Sequence, residues 1–323
     1  MRARGRARRT IDARRPDLEI RQLWALVDAY GSPAAPEVLV IGDSAMMWTS
    51  PFDRDQRTLA QMVADELGDS CRVHALAGAG YNPRIVRVFL EALASCPHKP
   101  RAIVLPASLL MATQAWSTHP SFCYVHETPE LRRIFREDDR EARRLPRSGE
   151  KDWEVWDRTP APSLFGARRT LGEFRLVVNA PQQKTAWWEQ PSTRWQQAVR
   201  MRHMMDVYNA ETLTADSPGV RMLADLASYI HELGIPTVAY IAPVNRDVLV
   251  SALGEAAAEH VARTAESVAS AYLDAAGPGH QVVNAVFAAP SEEYGDPVHL
   301  NDAGRRRFAP MIAEGVRTGI TVS

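Results

Sequence analysis

The sequence has 323 residues, enough for one large domain or two of ordinary size with a substantial buried core. Hydrophobic residues make up 46% of the chain and charged residues 24%, which are ordinary globular values and exclude collagenous, low-complexity and disulfide-scaffold classes. The 38 basic and 39 acidic side chains nearly cancel, so no overall field attracts a polyanion and a dedicated nucleic-acid binder is disfavoured.

The first elements follow a basic segment. Seven arginines fall within residues 1–15 and no apolar stretch follows them, so this segment is predicted to be a disordered tail. Apolar residues at helical spacing from Ile20 to Tyr30 then predict an amphipathic helix. Glu37–Ile41 is a β-branched apolar run that ends in Gly-Asp-Ser at residues 42–44, which is typical of a buried strand that breaks into a functional turn.

The alternation of strand and helix continues up to residue 112. Leu59–Leu67 and Pro83–Ala94 are predicted helices, and Cys71–Leu76 and Ala102–Leu105 are predicted strands. Because strands alternate with helices, we predict an α/β fold with a parallel sheet. The longest apolar run, residues 102–112, is about half the roughly 20 residues needed to span a bilayer, so no membrane span is expected.

The alternation stops near Thr113 and resumes near Pro218. Residues 113–217 are therefore predicted to be an insertion of helices and loops over the open edge of the sheet, between core segments 16–112 and 218–323. A mixed-charge run over residues 132–147 either forms a solvated helix face or docks an acidic carrier protein. The insertion also carries Trp153, Trp156, Trp187, Trp188 and Trp195, which either pack a small subdomain or line a substrate pocket.

The second core segment repeats the pattern. A helix is predicted over Val220–Leu233 and a strand over Thr237–Ala242. One further helix is predicted over Arg246–Ala275, then a last strand over Gln281–Val286 and a closing helix over Leu300–Val316.

The cysteines do not indicate a metal site. Cys71, Cys96 and Cys123 show no Cys-x-x-Cys spacing and no nearby pair of histidines. We expect neither a metal nor a cofactor. A small, odd number of cysteines suits a reducing compartment, and we expect a cytoplasmic protein.

The candidate chemistry lies in two short motifs. Ser44 directly follows the first strand, and Asp296 and His299 precede the closing helix. Both positions belong to the carboxyl edge of a parallel sheet, where ligands bind. A serine hydroxyl is a poor nucleophile until a base accepts its proton, and a carboxylate on the other imidazole nitrogen holds the tautomer that the base needs. The alternative for residues 42–44 is a helix N-cap.

These motifs resemble the first and last blocks of the SGNH/GDSL hydrolase superfamily, a strand followed by Gly-Asp-Ser and a final Asp-x-x-His. The resemblance covers the predicted core and leaves out the insertion. It implies a flavodoxin-like, three-layer α/β fold. It also implies that Ser44 is the nucleophile, His299 the general base and acid, and Asp296 the residue that orients the imidazole.

The same resemblance implies an oxyanion hole. Its donors would be the backbone N–H groups of Ser44 and of a glycine after the second strand, with Gly80 the first choice and Gly78 the second. A plain strand-to-helix turn is the other interpretation of this segment. In the third block, residues 105–109 read Leu-Pro-Ala-Ser-Leu where the family commonly has Gly-x-Asn-Asp. Ser108 is the candidate substitute donor, and the missing asparagine weakens the expectation of ordinary esterase activity.

A narrower resemblance is to the D-alanyl transfer proteins that esterify teichoic acids. Residues 233–245 and 296–300 carry it, together with the proline in the third block and the long insertion. It implies an acyltransferase that works with an acyl carrier protein. Asp43, Asn82 and Asn245 are candidate substrate-binding residues, and Asn245 is equally a turn residue.

We therefore expect acyl transfer, through an acyl-Ser44 intermediate, to a hydroxyl or amine of a small-molecule acceptor. Simple ester hydrolysis by the same residues is the second hypothesis. An SGNH-fold binding protein that lacks catalysis is the third. The expected partners are the small-molecule acceptor and a carrier protein, without nucleic acid.

Overall fold

The computed structural model describes residues 17–50, 53–69, 71–78, 80–114, 124, 127–138, 212–296 and 298–322. The strands are β1 (Val38–Gly42), β2 (Val73–Ala77), β3 (Ala102–Pro106), β4 (Thr237–Ile241) and β5 (Gln281–Asn284). The helices are α1 (Asp17–Gly31), α2 (Ser44–Met47), α3 (Leu59–Leu67), α4 (Pro83–Ser95), α5 (Leu109–Ala112), α6 (Glu127–Asp138), α7 (Pro218–Glu232), α8 (Arg246–Leu253), α9 (Glu255–Ala276) and α10 (Asp302–Val322), with a 3₁₀ turn at Ser291–Glu293.

The five strands form one parallel sheet in the order β2-β1-β3-β4-β5. Strands β1, β3 and β4 are buried along their whole length, which explains why they read as unbroken apolar runs. The chain builds from β1 to β2 on one side and then crosses to β3 on the other. The carboxyl ends of β1 and β3 therefore border a topological switch point, the usual ligand position in such sheets.

Side chains alternate between two hydrophobic cores on opposite faces of the sheet. Leu39 and Ile41 of β1 point into the larger core, which α1, α4, α6, α7, α8 and α9 cover. Val38 and Val40 point into the smaller core, which α2, α3 and α10 cover. The predicted α/β class, with a parallel sheet between helical layers, is confirmed.

The prediction of a single helix over Arg246–Ala275 is wrong. Gly254 divides it into α8 and α9, and this glycine has φ +88°, a conformation that an L residue adopts only with strain. Apolar spacing continues across the break, so the pattern alone did not reveal it. The closing helix also begins later than predicted, at Asp302, where the Asn301 side chain accepts hydrogen bonds from the Ala303 and Gly304 N–H groups.

Part of the predicted insertion packs on the main core. Leu131 and Phe135 of α6 are buried among residues of the larger core. Arg132 of the mixed-charge run makes a two-pronged ion pair with Glu91 of α4, at 2.8 and 3.0 Å, and Arg133 pairs with Glu130. These two arginines are thus engaged within the chain, and Arg132 faces α4.

Some segments for which the sequence makes a prediction are not among the described residues. The basic tail of residues 1–15 and most of the 113–217 insertion, including its tryptophans, lie outside the described residues. Among the helices that the structure describes, none combines the length and apolar character required to cross a membrane.

Candidate active site

Ser44, Asp296 and His299 meet at the carboxyl edge of the sheet, although 255 positions separate the serine from the histidine. The Ser44 Oγ lies 3.0 Å from His299 Nε2. The other ring nitrogen, Nδ1, lies 2.7 Å from Asp296 Oδ2. Both distances are within hydrogen-bonding range, and the order of the groups is hydroxyl, imidazole and carboxylate, the order that a nucleophile, a base and an orienting acid would need.

The Gly-Asp-Ser sequence builds a tight exit from β1. A Cβ on Gly42 would lie 2.4 Å from the Met46 Cβ, so glycine is needed where α2 folds back on the strand. The Asp43 carboxylate accepts a hydrogen bond from the Ala45 N–H at 3.0 Å and caps α2. The N-cap interpretation therefore applies to Asp43, and Ser44 follows as the first helical residue.

The loop before α10 fixes the acid and the base together. Asp296 Oδ1 accepts hydrogen bonds from the Val298 and His299 N–H groups at 2.8 and 2.7 Å. This leaves Oδ2 for the imidazole. The Gly295 N–H donates to the His299 carbonyl at 2.9 Å and closes the loop. Because Asn301 caps α10, Asp296 serves the imidazole and its own loop.

The electrostatics of the pair favour a charged carboxylate and a basic imidazole. Burial raises the pKa of Asp296, but the charge of His299 and the hydrogen bonds to Oδ1 and Oδ2 bring it below its ordinary value. Burial lowers the pKa of His299, but the charges of Asp296 and Asp43 and the hydrogen bond to Asp296 bring it above its ordinary value. His299 is thereby prepared to accept a proton from Ser44.

Asp43, the residue before Ser44, is buried. Its side chain is 8% exposed, and Oδ1 also accepts a 3.4 Å hydrogen bond from the Tyr240 hydroxyl. Burial raises the pKa of this carboxyl. The geometry supports a capping and electrostatic role for Asp43, and it does not support the predicted contact with substrate.

The two asparagines predicted to bind substrate are also helix caps. Asn82 Oδ1 accepts hydrogen bonds from the first N–H groups of α4, at 2.9 and 3.3 Å. Asn245 Oδ1 accepts one from the Val248 N–H of α8 at 3.2 Å and another from the Ser291 hydroxyl at 2.8 Å. Both side chains are 1% exposed. The substrate-binding prediction is not supported for either residue, because a buried amide that caps a helix presents little surface to a ligand.

The loop between β2 and α4 distinguishes the two glycines considered for the oxyanion hole. The Gly78 N–H donates to the Gly42 carbonyl at 3.2 Å and is therefore used by the sheet. A Cβ at Gly78 would lie 2.1 Å from the Tyr81 ring, so this glycine is required for packing. Gly80 has φ +71°, a conformation suited to glycine. Gly80 remains the better candidate donor.

Gln22 of α1 holds this loop and was not singled out from the sequence. Its amide nitrogen donates to the Ala77 carbonyl at 2.8 Å, and its amide oxygen accepts from the Tyr81 hydroxyl at 2.8 Å. The lead-in helix thus fixes both ends of the turn that contains Gly78 and Gly80. Gln22 occupies an ordinary position in an amphipathic helix, so its sequence context carried no signal.

Ser108, the candidate substitute for the missing asparagine, is the N-cap of α5. Its Oγ accepts a 3.4 Å hydrogen bond from the Met111 N–H. This cap uses the hydroxyl oxygen as an acceptor and leaves the hydroxyl hydrogen available. A donor role for Ser108 in the oxyanion hole therefore stays a prediction.

Two further features near the triad escaped the sequence analysis. The Trp48 indole stacks on the His299 imidazole. Arg305, which is 1% exposed, donates to Asp53 Oδ2 at 2.7 Å and to the Leu300 carbonyl at 3.1 Å. Arg305 therefore ties the segment that follows Ser44 to the segment that follows His299.

The described part of the chain contains no group of three or more His, Cys, Asp or Glu side chains arranged to hold a metal ion. Cys71 and Cys96 are free thiols.

Comparisons with known proteins do not assign the chain to a family. No family model matches the sequence, and no curated protein matches it.

Proposed function

We propose that this chain catalyses acyl transfer through an acyl-Ser44 intermediate. The observation that carries the proposal is the continuous hydrogen-bonded series from Asp296 through His299 to Ser44. A hydroxyl held in this way can lose its proton to the imidazole as it attacks an acyl carbon. A binding protein without catalysis needs neither hydrogen bond, so the intact series favours an enzyme.

The first half-reaction forms the acyl-enzyme. Ser44 Oγ attacks the carbonyl carbon of an ester or thioester while His299 Nε2 takes the hydroxyl proton. The negative charge that develops on the carbonyl oxygen is stabilised by the Ser44 and Gly80 N–H groups. The intermediate collapses as the bond to the alcohol or thiol breaks, and His299 returns the proton to that leaving group.

The second half-reaction releases the acyl group to an acceptor. A hydroxyl or amine on a small molecule attacks the acyl-serine carbonyl and gives its proton to His299. The bond to Ser44 Oγ then breaks, Ser44 regains the proton, and the product is an ester or an amide. We propose a carrier-protein thioester as the donor, because this donor is implied by the resemblance to the D-alanyl transfer proteins.

Simple hydrolysis is the second candidate, and the exposure of the site favours it. The side chains of His299 and Asp296 are 12% and 22% exposed. Within the described residues, solvent therefore reaches the base, and water is a competent acceptor for the acyl-enzyme. The difference between the two candidates lies in the acceptor alone, since both use the same acyl-serine.

Covalent labelling tests the shared step. A fluorophosphonate should react with wild-type protein and add one phosphonyl group to the Ser44 peptide, because the triad activates that hydroxyl. The Ser44→Ala variant should not be labelled, whereas a Ser32→Ala variant, which removes a turn serine, should be labelled like wild type. Labelling that persists in Ser44→Ala, or that is absent from folded wild-type protein, would contradict the proposal.

Product analysis separates transfer from hydrolysis. An acyl thioester is incubated with the protein in the presence and absence of an added amine or alcohol, and the products are measured by mass spectrometry. Transfer predicts that the added acceptor captures most of the acyl group in a Ser44-dependent reaction. If free acid is the product under both conditions, hydrolysis replaces transfer as the function.

The acid limb of the pH profile should lie above pH 6.5. His299 has to be neutral to accept the Ser44 proton, and its pKa is raised above the ordinary value of 6.5. Activity is therefore expected to fall as the pH drops through this raised pKa. The residual activity of Asp296→Asn should show its acid limb at lower pH, because the charge that raises the pKa is gone. A plot of kcat/KM against pH measures both limbs, and a wild-type limb below pH 6.5 would contradict the prediction.

A further inference from the structure

Trp48 contacts the base of the triad and is the C-cap of the short helix that begins at Ser44. Its indole and the His299 imidazole are stacked, with ring centroids 4.9 Å apart and planes 18° apart. The Trp48 N–H donates to the Ser44 carbonyl at 2.9 Å, which ends α2. One helical turn therefore presents the nucleophile at its start and an aromatic support for the base at its end.

The loop that carries the acid also makes room for the indole. A Cβ on Gly295 would lie 2.7 Å from Cη2 and 2.8 Å from Cζ3 of Trp48. Such distances essentially never occur between real side chains, so any larger residue at 295 would displace the ring. Gly295 immediately precedes Asp296. The stack thus depends on a matched pair, a large ring at the C-cap of α2 and a residue without a side chain on the His299 loop.

The stack restrains a motion that the hydrogen bonds of the triad leave open. His299 bonds to Asp296 and Ser44 through its two ring nitrogens, at the edge of the imidazole. The torsion that tilts an imidazole ring is otherwise broad. An indole packed on the face of the ring limits this tilt, and the negative face of the indole also attracts the imidazolium that forms when Ser44 loses its proton.

Within the described residues, the charged groups that act on His299 are carboxylates. Asp296 faces it from its own loop, and Asp43 acts on it from the end of β1. Ser44 faces it from the start of α2, and Trp48 from the C-cap of that helix. Asp296, Asp43 and Ser44 therefore act on His299 by charge or hydrogen bonding, and Trp48 acts on it by aromatic contact.

We propose that Trp48 is a positioning residue for His299, that its indole favours the imidazolium form, and that Gly295 is required for this contact. The proposal deepens the proposed function and rests on it, because a stabilised imidazolium assists catalysis only if His299 takes the proton of Ser44.

The test replaces Trp48 with leucine in the full-length chain. Leucine keeps much of the apolar volume over His299 and removes the aromatic face. The pKa of His299, measured by NMR titration of its ring protons and assigned with a His299→Gln variant, should fall by about half a unit. The kcat should fall roughly 10- to 100-fold, with a smaller change in KM, since the base is misplaced and not the substrate.

Three matched variants complete the experiment. Trp48→Phe retains an aromatic face and should restore much of the pKa and of kcat. Gly295→Ala should lower both, and its effect should shrink when it is combined with Trp48→Leu, because the two changes disturb one contact. Trp24→Leu removes an indole that pairs with Phe135 at 6.3 Å in the larger core, and it should leave the pKa of His299 unchanged.

Thermal unfolding of each variant distinguishes positioning from bulk packing. If Trp48→Leu loses stability while the pKa of His299 and kcat stay at their wild-type values, the proposal is overturned. If that variant does not fold, an unchanged pKa in folded Gly295→Ala overturns it equally. The titration needs no substrate. If the variants shift the pKa of His299 but the wild-type chain shows no acyl chemistry, the stacking proposal stands and the proposed function is refuted. If Ser44 is labelled but the pKa of His299 does not move in the variants, the proposed function stands and the stacking proposal is refuted.

Discussion

Replacement of Ser44 by alanine is expected to lower kcat by at least about three orders of magnitude on any acyl substrate that the chain turns over. The variant has no group to form the covalent intermediate. His299→Ala should cause a loss of similar size, because Oγ lies 3.0 Å from His299 Nε2 and has no other base in the described site. The double variant should be hardly slower than either single one, since the two residues act as one proton-transfer unit.

Asp296→Asn extends this test to the acid. The asparagine oxygen can still accept from the Val298 and His299 N–H groups, as Asp296 Oδ1 does, so the loop and the fold should survive. Its amide nitrogen, however, would face His299 Nδ1 as a donor and would hold the wrong tautomer. We therefore expect a large loss in kcat with little change in thermal stability.

Near wild-type turnover in Ser44→Ala would refute the serine mechanism. Equal losses of stability and activity in Asp296→Asn would show that Asp296 is a structural residue.

The parts of the fold that depend on local signals could be predicted from the sequence. Helix α3 has the bounds that were predicted, because Thr58 and Gln61 form a capping box at its start and Gly68 ends it. The buried strands were recognisable as apolar runs, and their parallel order followed from the alternation with helices. Gly254, by contrast, breaks a helix in the middle of an uninterrupted apolar pattern, and a lone glycine in such a pattern is a weak signal.

Some residues of the candidate site could likewise be predicted from the sequence, and others could not. The triad could be proposed because its two motifs stand at strand and helix boundaries whose positions the pattern reveals. Asn82 and Asn245 were predicted to contact substrate and are helix N-caps in the structure, and an asparagine before a helix gives no local signal that separates the two roles. The partners of Gln22 and of Trp48 are 55 or more positions away along the chain, and no local pattern encodes such contacts.

Arg305→Met is expected to lower the free energy of unfolding by about 3 to 5 kcal/mol. The Arg305 and Asp53 side chains are 1% and 3% exposed, so the ion pair is buried. Methionine fills a similar volume but leaves the Asp53 carboxylate buried without its cation. It also removes the donors to the Arg57, Asp55 and Leu300 carbonyls. An unpaired buried charge carries a large desolvation penalty.

Arg306 is the matched control on the neighbouring position of α10. Its side chain is 53% exposed and pairs with Asp302 and, at 3.8 Å, with Asp55. Exposed ion pairs contribute at most about 1 kcal/mol, so Arg306→Met should change stability little. Urea unfolding monitored by circular dichroism measures both variants.

The Arg305→Met substitution should disturb the active site in addition to lowering the free energy of unfolding. The Ser50 N–H donates to the same Asp53 oxygen at 2.8 Å, so the ion pair anchors the segment that follows Trp48. Leu300, whose carbonyl Arg305 also binds, directly follows His299. Adding Asp53→Asn to Arg305→Met should cost less than the sum of the two single changes, because the stranded carboxylate is then neutralised. A loss below about 1 kcal/mol for Arg305→Met, or strict additivity in the double variant, would show that this buried pair does not hold the two segments of the site together.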